Sequence, residues 1–135
     1  MRQTIETATG AREALVDITA QVEAAVRATA MDEGLVSVYV RGATAGIMIQ
    51  ENWDDSVPRD AVALLRGLIP PGVWEHDRQD GNGDAHLKAG LVGPSESIPL
   101  MEGRLGLSTW QGVFLCEFDG PRSRREIVCT VLPDG

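Results

Sequence analysis

Cationic side chains are in the minority in this sequence. Twelve Lys and Arg stand against twenty Asp and Glu, a net charge of −8. That balance argues against nucleic acid as the main partner, because phosphate backbones are bound through a surplus of Lys and Arg. Long apolar runs are missing as well. No window approaches the ~18 uninterrupted apolar residues of a membrane span, and the opening "MRQTIETATGAREALVD" lacks the apolar centre of a secretory signal. The cytoplasm is the expected compartment. Cysteine is scarce: Cys116 and Cys129 lie in the apolar runs "VFLCEF" and "IVCTVL", with no CxxC pair to suggest a metal. Both are expected to be buried free thiols that pack as small hydrophobes. Lysine is scarcer still. Lys88 is the only one, among eleven arginines.

What is present fits one domain. A chain of 135 residues with 43% apolar content can bury one sizeable core, and the whole of 1–135 is read as a single unit. "RQTIETAT" alternates as a strand, and "EALVDI" follows the Gly10 turn as a second. Ile18, Val22, Ala25 and Val26 recur at helical spacing, with Asp17 or Thr19 to cap the start and Gly34 where the helix would end. "LVSVYV" and "GIMIQEN" are strands. Asp54, Asp55 and Ser56 cap a second helix, whose expected buried side is Val57, Ala61, Leu64, Leu65 and Leu68 and which "IPPG" stops. Residues 73–94 are read as a loop with one short helix from Asp84 to Leu91. The remainder is β: "SIPLM" and "RLGLS" around a Glu102-Gly103 hairpin turn, then "QGVFLCEFD" and "REIVCTV" around "GPRS". Strands dominate, so the class is α+β, a mostly antiparallel or mixed β sandwich with two main helices.

The residues able to carry chemistry gather in "WEHDRQDGNGDAHLKAG" (74–90) and "EFDGPRSRR" (117–125). His76 and His86 are the only histidines, and Glu75, Asp77, Asp80 and Asp84 surround them. Two imidazoles and a carboxylate would make a three-ligand catalytic metal site with one open position. The commoner reading makes each histidine a surface or cap residue beside acids, and the spacing matches no compact motif such as HExxH. Asp84 and Lys88 stand four apart, on one helix face, and pair naturally; the functional alternative aims Lys88 at a phosphate or carbonyl. Alternation puts Glu117 on the face of Val113 and Leu115, so it requires a partner inside the fold, with Arg122 or a metal as the expected one. Asp119 and Gly120 are explained by turn chemistry. "GNGDAH" lacks both the preceding strand and the third glycine of a dinucleotide loop, and that reading is discarded.

Taken in order, "TAGIMIQEN", "WEH", "DGNGDAHLKAGLVGPS", "IPLMEGRLGLSTWQGVFLCEFDGPR" and "REIVCTVL" resemble the YjbQ-like family, also called secondary thiamine-phosphate synthases, from about Asp17 to Leu132. The resemblance implies a compact α+β sandwich assembling as a homotrimer, with sites near subunit boundaries. It also implies a metal-compatible histidine cluster holding a divalent ion such as zinc or magnesium. Asn82, Asp84, His86 and Lys88 match its GNxDAHxK block, His76 its upstream histidine, Glu51 and Asn52 its Asn-Glu-Asn stretch. Trp110, Gln111, Glu117, Asp119 and Arg122 match its last block. One departure stands out: where the family reads His-Thr-Thr-Ala, this chain has Gly42, Ala43, Thr44 and Ala45. Glycine has no side chain to ligate with, so a site built on three imidazoles keeps two here, and zinc affinity is expected to fall.

Two functional expectations follow. In the first, the protein is a transferase that joins a pyrimidine diphosphate to a thiazole phosphate. Lys88, Glu117 and Asp84 are then its catalytic groups, Arg41, Asn82, Arg122 and Gln111 bind substrate, and His76 and His86 hold the metal. In the second, it is a non-catalytic trimeric binder of a small phosphorylated or carboxylated metabolite, a reading that the loss of the family histidine favours.

Overall fold

Alternation of apolar and polar side chains along the strands produces two antiparallel sheets stacked face to face. The structure, a computed structural model, describes residues 1–135. In chain order the elements are β1 (Arg2–Thr9), β2 (Ala14–Asp17), α1 (Thr19–Arg27), β3 (Gly34–Val40), β4 (Ala45–Glu51) and α2 (Ser56–Leu68). A short 3-10 turn (Glu75–Arg78) leads into α3 (Gly83–Val92), followed by β5 (Ser95–Met101), β6 (Arg104–Leu105), β7 (Gln111–Glu117) and β8 (Arg122–Pro133). The larger sheet runs β1-β8-β3-β5-β6 and the smaller β2-β7-β4. Every pairing is antiparallel.

The main core lies between the sheets. Val36, Val38 and Val40 of β3 and Ile127, Cys129 and Val131 of β8 meet Ile47, Val113 and Leu115 of the smaller sheet, and α1 adds Val22, Ala25 and Val26. Strand β7 is buried on both faces, as expected for a central strand with an unbroken apolar run. Its second face, Cys116 and then Phe118, packs under α2 and α3 with Leu65, Ala85 and Ala89. The order of layers is therefore large sheet, small sheet, helix pair. The large sheet's outer face stays open, and Leu35, Tyr39 and Leu132 project from it.

The observed elements follow the sequence reading with three corrections. Helix α1 stops at Arg27, not near Gly34. There Thr29 turns its amide and hydroxyl back onto the Val26 carbonyl (3.0 and 2.7 Å), and Ala30 adopts φ 55°. In α2 only Leu65 of the expected stripe is buried, while Leu64 and Leu68 are exposed, because the helix sits over a narrow three-stranded sheet. The segment expected to form a strand from Arg104 to Ser108 pairs only at Arg104 and Leu105. Both cysteines are buried and free.

Candidate functional site

Three groups of polar side chains meet around the N-terminal end of α3. The first closes the sandwich from inside. Glu117 points between the sheets, as its alternation requires, and its partner is Arg125 of β8, neither Arg122 nor a metal. Arg125 Nε donates to Glu117 Oε1 at 3.0 Å, and its Nη2 pairs with the second carboxylate oxygen. Thr9 Oγ1 donates to Oε1 at 2.7 Å and the Asp119 amide to Oε2 at 3.0 Å. The carboxylate is fully enclosed. Burial alone would push its pKa up, but the guanidinium and the two other donors outweigh that and hold Glu117 below the ordinary value.

Arg125 also donates to Thr44 Oγ1 at 2.9 Å and crowds Gly42, where an added Cβ would lie 2.9 Å from Nη1. Gly42 has φ 118°, a conformation that favours glycine. The place where the resemblance implies a histidine is thus taken up by a glycine-specific backbone with an arginine against it.

The second group is an ion cluster beneath α3. Lys88 Nζ reaches Asp84 Oδ2 at 2.7 Å and Glu13 Oε2 at 3.2 Å, and neither helix side chain has any solvent exposure. Arg12 clamps Asp84 with two bonds, 2.9 and 3.2 Å, and Arg66 of α2 reaches Glu13 at 3.2 Å. Burial again works to raise the Asp84 pKa, and Arg12 and Lys88 together hold it below the ordinary value. The hydrogen bond to Asp84 raises that of Arg12. Lys88 is therefore an internal counter-ion, the structural alternative that the i,i+4 spacing allowed.

The third group faces outward. His76 and His86 stack edge to face with ring centroids 4.7 Å apart and, with Trp74 and Leu87, line a pocket of about 570 Å³. His76 Nε2 lies 3.4 Å from Asp80 Oδ2 but is not aligned to hydrogen-bond, and it is a buried atom without a partner. Asn82 Nδ2 donates to Asp119 Oδ2 at 2.8 Å, which Arg122 Nη2 also reaches at 3.0 Å. The carboxylate requires a donor, which fixes the Asn82 amide with Oδ1 turned away, buried and unpartnered. Asp77 Oδ1 accepts from the Gly83 amide at 2.8 Å, so a carboxylate of the chain itself sits at the start of α3.

The sequence-derived residues are thus divided. His76, His86, Asn82 and Arg122 border the outer face, and Asp84 and Lys88 lie beneath it. Glu117 is inside the sandwich. Arg41 is an exposed partner of Glu126 at 3.2 Å. Gln111 belongs to another cavity altogether. No three His, Cys, Asp or Glu side chains of one chain converge, so these residues do not by themselves fit a three-ligand metal. Sequence reasoning passed over Arg12, Glu13 and the partnership of Arg125 with Glu117. The last was findable: counting back in twos from Val131, Cys129 and Ile127 puts Arg125 on the inner face.

Comparison with known proteins places this chain among relatives. The family model described as "UPF0047 protein YjbQ-like" matches residues 3–134. A UPF0047 protein of Methanocaldococcus jannaschii is 44% identical over 93% of this chain and 90% of its own length. YugU of Bacillus subtilis, another UPF0047 protein, is 40% identical over 92% and 94%. The crystal structure of a YbjQ-like protein of unknown function from Sulfolobus solfataricus is similar with a TM-score of 0.95. It is 34% identical, covering 99% of this chain and 97% of that one.

Proposed function

The chain belongs to the YjbQ-like UPF0047 family, and we propose that it acts there as a homotrimeric binder of a small phosphorylated or carboxylated metabolite, not as a transferase. The observation that carries this reading is the enclosure of Lys88 and Glu117, each without solvent exposure and each held by ionic partners. Expulsion of a diphosphate asks for cationic groups that meet the developing charge. The Lys88 ammonium is already committed to two carboxylates.

The ligand belongs at the outer face of α3. A buried polar atom without a partner costs free energy until something supplies one, and Asn82 Oδ1 and His76 Nε2 are two such atoms. A metabolite with a hydroxyl beside its anionic group would supply these partners once the two side chains turn toward it, and would reach the Arg122 hydrogens that Asp119 leaves free. Assembly through the helix layer agrees with the exposure of Leu64, Leu68, Leu87 and Leu91 there.

The test combines binding with turnover. Inorganic phosphate is titrated against thermal unfolding, and the protein is then incubated with a pyrimidine diphosphate and a thiazole phosphate. Saturable stabilisation that is lost in Asn82→Ala, with no pyrophosphate released, is expected. Pyrophosphate release above the level of a Lys88→Met control would overturn the reading in favour of the transferase. A metal reading draws on the two adjacent imidazoles and the unpartnered His76 Nε2; stoichiometric zinc that survives gel filtration and is lost in His86→Ala would establish it.

A further inference from the structure

A second cavity, of about 650 Å³, opens between α1 and the β5–β6 hairpin and shares no lining residue with the histidine pocket. Its volume falls in the range of small-molecule sites, and only three of its thirteen lining residues are apolar. Each wall carries one cation and one anion. Glu23 and Arg27 stand one turn apart on α1, and Glu102 and Arg104 flank Gly103 on the hairpin.

None of the four side chains is in an ion pair, although Glu23 and Arg27 have the i,i+4 order that favours one on a helix. The walls are also held in place. Glu102 and Gly103 have φ 53° and 74°, a tight two-residue turn. Their amides donate to Glu33 Oε1 at 3.0 Å and the Asp32 carbonyl at 2.8 Å. Among the other lining residues, Gln111 Oε1 accepts from the Ser108 amide at 2.9 Å, which leaves its NH2 group without a protein partner. The outcome is a preformed recess with two free guanidinium groups, two free carboxylates and a free amide donor.

We propose that this cavity binds a small zwitterion of the amino-acid class, its carboxylate on Arg27 and Arg104 and its ammonium on Glu23 and Glu102. Guanidinium groups match a carboxylate with parallel hydrogen bonds. The two glutamates repel a plain dianion and attract the amine. Lining charge that sums to zero selects a ligand that carries both signs. The site stands independently of the histidine face.

The experiment is a titration of the 15N-labelled full chain with each proteinogenic amino acid, and with acetate and methylammonium as half-ligands, followed by amide chemical shifts. Saturable shifts confined to residues 19–27 and 102–111, with a Kd of about 1 mM or tighter for at least one amino acid, are expected. The half-ligands should bind at least about tenfold more weakly, a difference of ~1.4 kcal/mol. Arg104→Gln and Glu102→Gln, both at exposed positions, should each weaken binding by a similar factor and leave the melting temperature unchanged. The proposal is overturned by an absence of saturable shifts with every amino acid or by shifts centred elsewhere. Equal affinity for acetate, or unaltered binding in both variants, overturns it too.

Discussion

The ammonium of Lys88 lies 2.7 Å from the Asp84 carboxylate one helical turn earlier, and both side chains are sealed from solvent. A buried charge that loses its partner is far more costly than one that never had to be buried. Lys88→Met should therefore destabilise the protein by ~3–5 kcal/mol, measured by urea unfolding. Lys88→Met combined with Asp84→Leu should recover much of the loss, since Arg12 is partly exposed and can turn to water. A single variant as stable as the parent would mean that the cluster contributes nothing.

Gly42→Ala tests the crowding around Arg125. The backbone there is in a region that side chains rarely adopt, and the new methyl would press on Nη1 at 2.9 Å. A loss of ~1–3 kcal/mol is expected, with a larger one for Gly42→His. Restored stability or strong zinc binding in the histidine variant would show that Arg125 gives way readily.

Acid should undo both carboxylate networks. Asp84 and Glu117 have folded pKa values depressed below their unfolded ones. Their contribution is therefore complete above about pH 4–5 and is lost as pH falls through the lower folded values. Unfolding free energy should drop steeply between about pH 5 and pH 2, and the slope should be shallower in Glu117→Gln. An identical slope in that variant would remove Glu117 from the transition.

The thiols offer a chemical readout. Burial pushes Cys116 up to about 12 and Cys129 to about 11, so neither is a thiolate near neutral pH. A thiol reagent at pH 8 should leave the folded protein unlabelled and modify both cysteines in denaturant. Fast labelling of the folded chain would contradict the enclosed packing around β7.

Much of the architecture was legible because strand alternation and turn residues are local signals. The bounds of β1 and the Glu102-Gly103 hairpin follow directly from them. The termination of α1 was not legible, because it depends on a threonine hydroxyl folding back rather than on a glycine. Nor was the exposure of Leu64 and Leu68, which is set by the width of the sheet below.

The site was read less completely. Asp84–Lys88 is a contact along one helix and was visible in the spacing. Arg12–Asp84 joins residues 72 apart in the chain, and no periodicity announces it. Assigning Lys88 and His86 to one transferase site overlooked that α3 is amphipathic in charge. Positions 84 and 88 face inward, so 86 faces out.

The cluster under α3 draws its charges from three separate stretches: the turn between β1 and β2, the last turn of α2, and α3 itself. Sliding α3 by a single residue would set Leu87 or Ala89 opposite Glu13 and strand the Lys88 ammonium away from both of its carboxylates. Near-miss placements of the helix are thereby penalised steeply, and the helix has one seat rather than a range of them. His86, on its outward side, inherits that seating and carries it to the edge-to-face contact with His76 of the preceding turn.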